Sequence, residues 1–179
     1  MKAKNEILTL RKVQPGDLDQ CKAYRAAFLA SGDSMDGCSN LRRFENIADW
    51  YDWIQKAEHP DTCPPNWVPD SPFVSVRNSD GQIVGMLDIR HKLNEACLNL
   101  FGNIGYSIHP DHRRKGYATA QLQLAKEICR GMGMTKILVS CHKENIGSAK
   151  TIRRNGGILE NEVVDERSGE VLQRYWITL

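Results

Sequence analysis

Long apolar runs are missing from this 179-residue chain, so nothing in it predicts a membrane-spanning helix, which needs roughly 18 consecutive apolar residues. The N-terminal segment MKAKNEILTL also lacks the apolar core and small-residue cleavage site of a secretory signal. We therefore expect a cytoplasmic protein without membrane contact. With 41% hydrophobic and 26% charged residues the composition is globular, and the length predicts a single domain over residues 1–179.

Cysteines at metal-ligand spacing are also absent. The chain has six cysteines, but it contains no C-x-x-C sequence, and none of the six lies at zinc-finger spacing from a histidine. Because no export signal is present, the even cysteine count does not predict disulfides either. We therefore expect free thiols and no metal site.

A strong charge of one sign is missing from the chain as a whole, since the net charge is only +2, and nucleic acid is therefore not an expected partner. Two segments of the chain nevertheless have local net charges of opposite sign. Residues 111–154 contain ten Lys or Arg against three Asp or Glu, whereas residues 31–70 contain three against eight. The first segment suits a ligand with several phosphates, and the second suits a cation, although an acidic excess can also serve solubility alone.

Hydrophobic periodicity predicts an α/β fold in which a mixed, largely antiparallel sheet is flanked by helices on both faces. The predicted elements, in chain order, are a strand over 7–13, helices over 17–29 and 41–57, strands over 73–77, 83–89 and 104–108, a helix over 117–132, a strand over 136–141, a helix over 146–155, and strands over 158–164 and 171–179. The strand at 136–141 is almost purely apolar, which predicts burial on both faces. Segments 31–40 and 59–72 are predicted to be irregular.

The segment with the clearest chemistry is IGYSIHPDHRRKGYATA, residues 104–120. A strand runs into Pro110, a basic loop follows, and Gly116 stands at the start of the most regular helix. Helix N-termini present unpaired N–H groups and a positive dipole end, and both bind anions. Glycine lets the backbone approach a ligand closely. These residues predict a pyrophosphate-binding loop.

Two common phosphate-binding motifs are absent, since the chain has neither a G-x-x-x-x-G-K-[ST] loop nor a G-x-G-x-x-G sequence after a strand. The sequence Arg113–Ala118 instead resembles the R/Q-x-x-G-x-G/A signature of the GCN5-related N-acetyltransferase (GNAT) superfamily. The aliphatic residue and proline before it, the later sequence Asn145–Ser148 followed by a helix ending at Gly156, and the closing strand pair are similar as well. The sequence RHKLNEACL, residues 90–98, is similar to that of a bacterial subgroup of the superfamily without a known substrate.

The resemblance implies an acetyl-CoA site in residues 73–179, with residues 1–72 on the acceptor side. Backbone N–H groups from Arg114 through Gly116, Tyr117 and Ala118 to Thr119 would hold the CoA pyrophosphate, and the side chains of Arg113 and Lys115 would add positive charge. The main chain at Ile108 would align the pantetheine arm and polarise the thioester. Asn145 and Ser148 would contact the pantetheine or acyl region, although a helix N-cap is the alternative role for both.

The chain departs from the family pattern at two positions. Many members carry a tyrosine seven residues after the motif asparagine, where it protonates the leaving thiolate, and here that position is Ile152. The usual aromatic residue after the last motif glycine is replaced by Gly157. A thiol with a pKa near about 8.5 leaves without a strong acid, so acyl transfer is still expected. A non-catalytic acyl-CoA sensor or partner module is the alternative.

The remaining site predictions rest on position along the chain. His142 follows the buried strand and is a candidate general base. Tyr106 in the signature strand and Glu95 after an earlier strand are further catalytic candidates. We expect His91, Asn94, Trp50 and Trp53 to line an acceptor site for a cationic amine, with ordinary packing as the alternative for the tryptophans.

Together these features predict an N-acetyltransferase that transfers an acetyl group from acetyl-CoA to a primary amine of a small molecule or peptide. The mechanism expected is direct attack in a ternary complex, because no covalent acyl-cysteine is required. Homodimers are common in the superfamily that the chain resembles, but the sequence itself does not fix the oligomeric state. The sequence does not choose among polyamines, aminoglycoside-like amines, amino acids and protein amines.

Overall fold

A computed structural model describes all residues, 1–179. The eight strands are β1 (Lys2–Lys4), β2 (Leu8–Lys12), β3 (Asp70–Arg77), β4 (Ile83–Arg90), β5 (Ile104–Ile108), β6 (Lys136–His142), β7 (Ile158–Asp165) and β8 (Glu170–Thr178). The four α-helices are α1 (Leu18–Ser31), α2 (Ile47–Ala57), α3 (Tyr117–Gly131) and α4 (Ile146–Arg154). None of the helices is both long and apolar enough to cross a lipid bilayer.

The strands form one sheet in the order β1-β2-β3-β4-β5-β6-β8-β7, and only the β5–β6 pair is parallel. One hydrophobic core lies between the sheet and helices α3 and α4, where Leu122 and Ile152 are fully buried. A second core lies on the opposite face against α1 and α2, around Phe28 and Trp50. The predicted α/β class, with a largely antiparallel sheet covered by helices on both faces, is therefore confirmed. The strand β6 is buried at Ile137–Val139, as its apolar sequence predicts.

The second helix is shorter than predicted. Helix α2 begins at Ile47 rather than at residue 41, because Asn46 has extended backbone and its side-chain oxygen accepts a hydrogen bond from Ala48 N at 3.0 Å. Residues Leu41–Arg43 form a separate 3₁₀ turn. The apolar positions before Asn46 belong to this turn, so helical spacing alone extended the prediction too far.

Two elements were not predicted from the sequence. Strand β1 has only three residues, and its alternating lysines resemble a polar terminus rather than a strand. Residues Cys97–Phe101 form one turn of π-helix, which begins where the Asn94 side chain accepts a hydrogen bond from Cys97 N at 2.9 Å. The irregular segment before β3 also ends at residue 69, three residues earlier than predicted.

The parallel strands β5 and β6 diverge, and this divergence positions the site. They share a single register pair, Ile104 with Val139, at the start of β5. Asn103 holds this point, since its N–H donates to Leu138 O and its side chain accepts from Leu138 N. On the other side of β5, alternate residues pair with β4, so the N–H and C=O groups of Tyr106 and Ile108 point into the gap. The sheet therefore directs backbone groups into the gap between its two central strands, where no strand pairs with them.

Candidate active site

A cleft of about 800 Å³ occupies the gap between β5 and β6. It extends from the start of helix α3 to the π-helical turn at Leu100 and Phe101. Its lining combines main chain of β5, the ends of β6 and α4, and residues 33–37 of the loop after α1. A cleft of this volume can hold an extended ligand and a second reactant.

The start of helix α3 is shaped to bind an anion. Gly116 has φ +82° and Arg114 has φ +64°, so two left-handed residues turn the chain just before the helix. The first backbone hydrogen bond of α3 is Ala120 N to Gly116 O, which leaves the N–H groups of Tyr117–Thr119 without helical partners. These groups lie at the positive end of the helix dipole and line the cleft. The residues present therefore fit a pyrophosphate, as the sequence predicts.

The two outer basic residues of this loop have different surroundings. Arg113 lines the cleft, but its guanidinium also forms an ion pair with Asp33 at 2.7 Å, donates to Ile108 O at 3.2 Å and lies over the Phe28 ring. Lys115 does not line the cleft, and its Nζ donates to Asp111 O at 3.1 Å. Arg113 thus connects the phosphate loop to the loop after α1. Lys115 supports the turn from outside.

Three polar residues meet where α4 begins beside β5. The Asn145 side chain accepts a hydrogen bond from Ser148 N at 3.0 Å, so Asn145 is the N-cap of α4. The Ser148 hydroxyl lies 2.7 Å from the Tyr106 hydroxyl, and all three residues line the cleft. Burial raises the pKa of Tyr106, so its phenol stays protonated and remains a hydrogen-bond donor. The structure therefore brings Tyr106 and Ser148 together as a pair of hydroxyl groups.

The departure from the family pattern at residue 152 has a packing explanation. Ile152 is fully buried among the core residues between α4 and the sheet, so residue 152 faces the core and not the cleft. A Cβ on Gly157 would lie 2.4 Å from Ile152 Cγ2, and no side chain fits there. The isoleucine and the glycine are therefore complementary. Position 152 contributes no proton donor to the cleft.

The end of β6 contributes His142 and Cys141. The His142 side chain is 43% exposed, lines the cleft, and has its Nδ1 3.4 Å from a Glu170 carboxylate oxygen without a formed hydrogen bond. Cys141 is buried, and burial raises the pKa of its thiol. His142 is thus accessible to a reactant, whereas Cys141 is a poor nucleophile because the thiolate is disfavoured.

Another wall of the cleft comes from the segment 33–40, of which Asp33, Ser34, Asp36 and Gly37 line the cleft. We call this segment the acceptor wall, because the sequence predicts residues 1–72 on the acceptor side. Gly37 has φ +71°, and a Cβ there would lie 2.4 Å from Gly105 O of β5. The Ser107 hydroxyl donates to Asp36 O at 2.6 Å, which fixes the same contact. The sequence predicts only an irregular loop here. The direct contact between two glycines distant in sequence carries no local signal.

Three predicted residues lie outside the cleft. The His91 ring is 2.8 Å from the Ser71 hydroxyl, and burial lowers its pKa. Asn94 caps the π-helical turn, and Glu95 is exposed beside a separate shallow depression next to Trp67. The structure corrects the expectation that these residues face the cleft, because the chain turns away from β5 after β4 ends at Arg90.

The aromatic residues of the acidic segment also lie elsewhere. Trp50 is fully buried, and its Nε1 donates to Ser39 O at 3.1 Å. Trp53 packs against Phe44 and Trp67 rather than against the cleft. The expectation that Trp50 and Trp53 contact the acceptor is therefore wrong, and packing is their role. From the acidic segment, Asp33 and Asp36 line the cleft.

Sequence reasoning missed two basic residues. Lys150 and Arg154 are exposed, line the cleft, and stand one helical turn apart on α4. Their i, i+4 spacing is a signal that could have found them, since α4 begins at the predicted motif. They place positive charge beyond the start of α3, on the same side of the cleft.

The comparisons with known proteins agree with this geometry. Residues 8–158 match the model of an acetyltransferase (GNAT) domain. No curated protein sequence matches the chain. Among solved structures, a GNAT-family acetyltransferase from Bacillus anthracis is 18% identical with a TM-score of 0.66, and the match covers 99% of this chain and 98% of that one.

Two further structures have named substrates. Spermidine N-acetyltransferase from Vibrio cholerae, in complex with CoA and spermine, is 18% identical with a TM-score of 0.68 over 97% of this chain and 96% of that one. The Salmonella typhimurium acetyltransferase that modifies the N-terminal serine of ribosomal protein L7/L12 is 14% identical with a TM-score of 0.71, and the match covers 100% of this chain and 99% of that one. At these identities the structures establish the fold, and the domain match establishes the family. The chain belongs to the GNAT acetyltransferase family and is an acetyl-CoA-dependent N-acetyltransferase.

Proposed function

We propose that this protein transfers the acetyl group of acetyl-CoA to a primary amine of a small molecule or peptide by direct attack in a ternary complex. The observation that carries the proposal is the continuous cleft between β5 and β6. The start of α3 has unpaired N–H groups for a pyrophosphate, and residues 33–37 line the same cleft as a wall that can receive a second reactant. Holding both reactants in one cleft supplies much of the rate acceleration.

The donor side follows from the start of α3. The N–H groups of Tyr117–Thr119 hold the pyrophosphate, and Arg114 adds charge at the cleft surface. The backbone of Tyr106 and Ile108, directed into the gap, pairs with the amide groups of the pantetheine arm as a neighbouring strand would. Acetyl-CoA supplies the activated acyl group, and a backbone N–H of β5 stabilises the oxyanion that forms on attack.

The leaving sulfur meets the hydroxyl pair of Ser148 and Tyr106. When the Tyr106 hydroxyl donates across the 2.7 Å contact, it orients Ser148 and leaves the Ser148 proton free to donate to the sulfur. Because a thiolate with a pKa near about 8.5 is a good leaving group, a hydrogen bond to sulfur suffices in place of a strong acid. This hydroxyl pair replaces the tyrosine that many members of the family carry at the position of Ile152.

The attacking amine must lose a proton before it reacts. His142 is accessible at the end of β6, with its Nδ1 3.4 Å from a Glu170 carboxylate oxygen, and a neutral imidazole at this position accepts the proton. Direct attack agrees with the state of Cys141, whose buried thiol is a poor nucleophile. No acyl-enzyme intermediate is needed.

The acceptor is a cationic amine. Asp33 is already paired with Arg113, whose charge holds the pKa of that carboxyl below its usual value, so Asp36 is the carboxylate of the acceptor wall that remains for a substrate. The negative charge of Asp36 draws an ammonium group to this wall of the cleft. Polyamines and peptide N-termini are both amines of this kind.

The test combines binding with turnover. Isothermal titration with acetyl-CoA should give micromolar binding, and thiol release should then be followed with spermidine, an aminoglycoside, free amino acids and short peptides as acceptors. Acceleration by at least one cationic amine supports the proposal. Tight CoA binding with no acceleration by any amine, or with acceleration only by hydroxyl or thiol acceptors, contradicts it.

A further inference from the structure

Two buried carboxyl groups lie behind the acceptor wall. Asp70 on β3 is 6% exposed and Asp88 on β4 is 3% exposed, and their side chains share the sheet face that packs against α1 and α2. Ser39 connects them, since its hydroxyl donates to Asp70 Oδ2 at 2.7 Å and its N–H lies 3.4 Å from Asp88 Oδ2. We call these three residues the clamp. The other Asp70 oxygen, Oδ1, is buried without a partner.

The clamp is joined directly to the cleft. Asp88 Oδ1 accepts a hydrogen bond from the N–H of Gly105 at 3.1 Å, on the strand that lines the cleft. On the other side, Ser39 stands two residues after Gly37, whose backbone touches Gly105. Ser39 itself has φ +42°, a conformation that a serine rarely adopts without outside support. The clamp therefore supports the part of the acceptor wall that approaches β5 most closely.

The charge balance around the clamp is uneven. Arg90 on β4 has its guanidinium 3.4 Å from Asp88 Oδ1, and it is the cation facing the two carboxyl groups. The other titratable groups nearby are the thiols of Cys38 in the acceptor wall, Cys63 in the loop before β3 and Cys97 in the π-helical turn. Burial, followed by the charge of Asp88, raises the pKa of Asp70 to about 7, against the opposite effects of the Ser39 hydrogen bond and the Arg90 charge. One cation therefore faces one carboxylate and one carboxyl that retains its proton below neutral pH.

We propose that the clamp is a proton-controlled positioning device, in which the proton on Asp70 removes the repulsion with Asp88 and allows Ser39 to hold the acceptor wall against β5. Loss of that proton places two negative charges beside a single arginine and favours movement of the wall away from the sheet. Asp70, Ser39 and Asp88 act through the wall and do not touch the reacting atoms. The consequence for acceptor binding rests on the proposed function, whereas the movement itself does not.

The direction of the pH effect follows from linkage. When the wall lifts and water reaches Asp70, its pKa falls from about 7 toward the ordinary value of 3.8. Opening therefore releases a proton in the window between those two values, and raising the pH favours opening by up to about tenfold per pH unit. Above pH 7 both conformations are deprotonated, and the dependence ends.

Hydrogen–deuterium exchange of the intact protein without ligand tests the device. Exchange of peptides covering residues 33–40 should be measured from pH 5 to pH 8.5 and corrected for the intrinsic exchange rate. Protection should fall by up to about 100-fold between pH 5 and pH 7 and then level off. In Asp70→Asn, which keeps a neutral side chain of the same shape, protection should be independent of pH. Ser71→Ala is the matched control, because Ser71 bonds Glu58 and His91 away from the clamp.

The outcomes of this experiment either support or overturn the proposed clamp. A pH-dependent loss of protection that Asp70→Asn abolishes and Ser71→Ala retains supports the device. A flat profile in the wild-type protein, or the same fall in Asp70→Asn, overturns it. Where Asp70→Asn does not fold, Ser39→Ala replaces it and should give low protection in 33–40 at every pH; high protection would overturn the proposal. CoA titration of the same samples tests the proposed function separately, since the phosphate loop is not part of the clamp.

Discussion

On the donor side of the cleft, consecutive residues make the site, whereas on the acceptor side the site depends on residues far apart in sequence. The N–H groups of Tyr117–Thr119 belong to one helical turn, and Asn145 and Ser148 are N-cap and N3 of another. The acceptor wall is held by contacts of Gly37 with Gly105 and of Arg113 with Asp33, which span 68 and 80 residues. Donor binding is therefore a local backbone property, and acceptor binding is a property of tertiary packing.

This difference predicts how each side responds to mutation. A side-chain change in the donor loop should alter CoA affinity and leave the free energy of unfolding nearly unchanged, because the loop packs on little else; replacement of its left-handed glycine adds a cost in backbone strain. A change in the acceptor wall should alter stability and acceptor affinity together, since the same contacts support both. Arg113 is the exception, because it lies in the donor loop and pairs with the acceptor wall.

The largest expected effect is from Gly116→Val. Gly116 has φ +82° and open space around it, so the cost of valine comes from the left-handed backbone alone. Relaxation of the backbone would turn the N–H groups of α3 away from the phosphate, and CoA affinity should fall by about 100-fold or more, roughly 3 kcal/mol. Calorimetry with CoA measures this loss.

Gly133→Val is the matched control for this prediction. Gly133 has the same φ of +82° and equally open surroundings, but it follows the other end of α3. Its stability loss should equal that of Gly116→Val while CoA affinity stays at the wild-type value. Equal loss of CoA affinity in both variants would show that α3 is destabilised as a whole, and that the donor side is not local.

The next effect concerns the hydroxyl pair. Ser148→Ala removes the donor closest to the leaving sulfur, and kcat should fall on the order of 30-fold with little change in the affinity for CoA. Tyr106→Phe should have a smaller effect, and the double variant should resemble Ser148→Ala because Tyr106 acts through Ser148. Steady-state kinetics with an amine found in the acceptor screen gives these values. Ser79→Ala, in the exposed turn before β4, controls for loss of a serine; additive effects of the pair would contradict a shared role.

The same difference explains what the sequence could and could not predict. Strand β5 and the start of α3 follow from a short local pattern, and their observed bounds agree with the predicted ones. The acidic, aromatic-rich segment around Trp50 led to a wrong prediction of the acceptor site, because burial of a side chain depends on which distant elements cover it. The clamp carboxyl groups gave no signal, since Asp70 and Asp88 become neighbours only when β3 pairs with β4. Local capping and turn chemistry can be inferred from residue types, but long-range contacts cannot.

A smaller effect is expected for Gly37→Ala. The new Cβ would lie 2.4 Å from Gly105 O, so the acceptor wall must move away from β5. KM for the acceptor should rise about tenfold while the Kd for CoA is unchanged. Gly32→Ala is the matched control, because Gly32 has φ +73° but no neighbouring atom within 4 Å of the added carbon. An equal rise in KM for both variants would show that backbone strain, and not contact with β5, causes the effect.

The smallest effect tests how far the donor side extends along α4. Lys150 and Arg154 line the cleft as exposed side chains, and exposed charge pairs contribute about 0.2 to 1 kcal/mol each. If they meet the 3′-phosphate of CoA, the double change to alanine should weaken CoA binding roughly fivefold and leave binding of dephospho-CoA unchanged. Lys22→Ala combined with Arg130→Ala removes the same charge outside the cleft and controls for the overall field. Equal weakening of CoA and dephospho-CoA binding would instead assign these side chains to the pyrophosphate. Part of the donor site would then lie on a second helix, and donor binding would depend on more than the backbone at the start of α3.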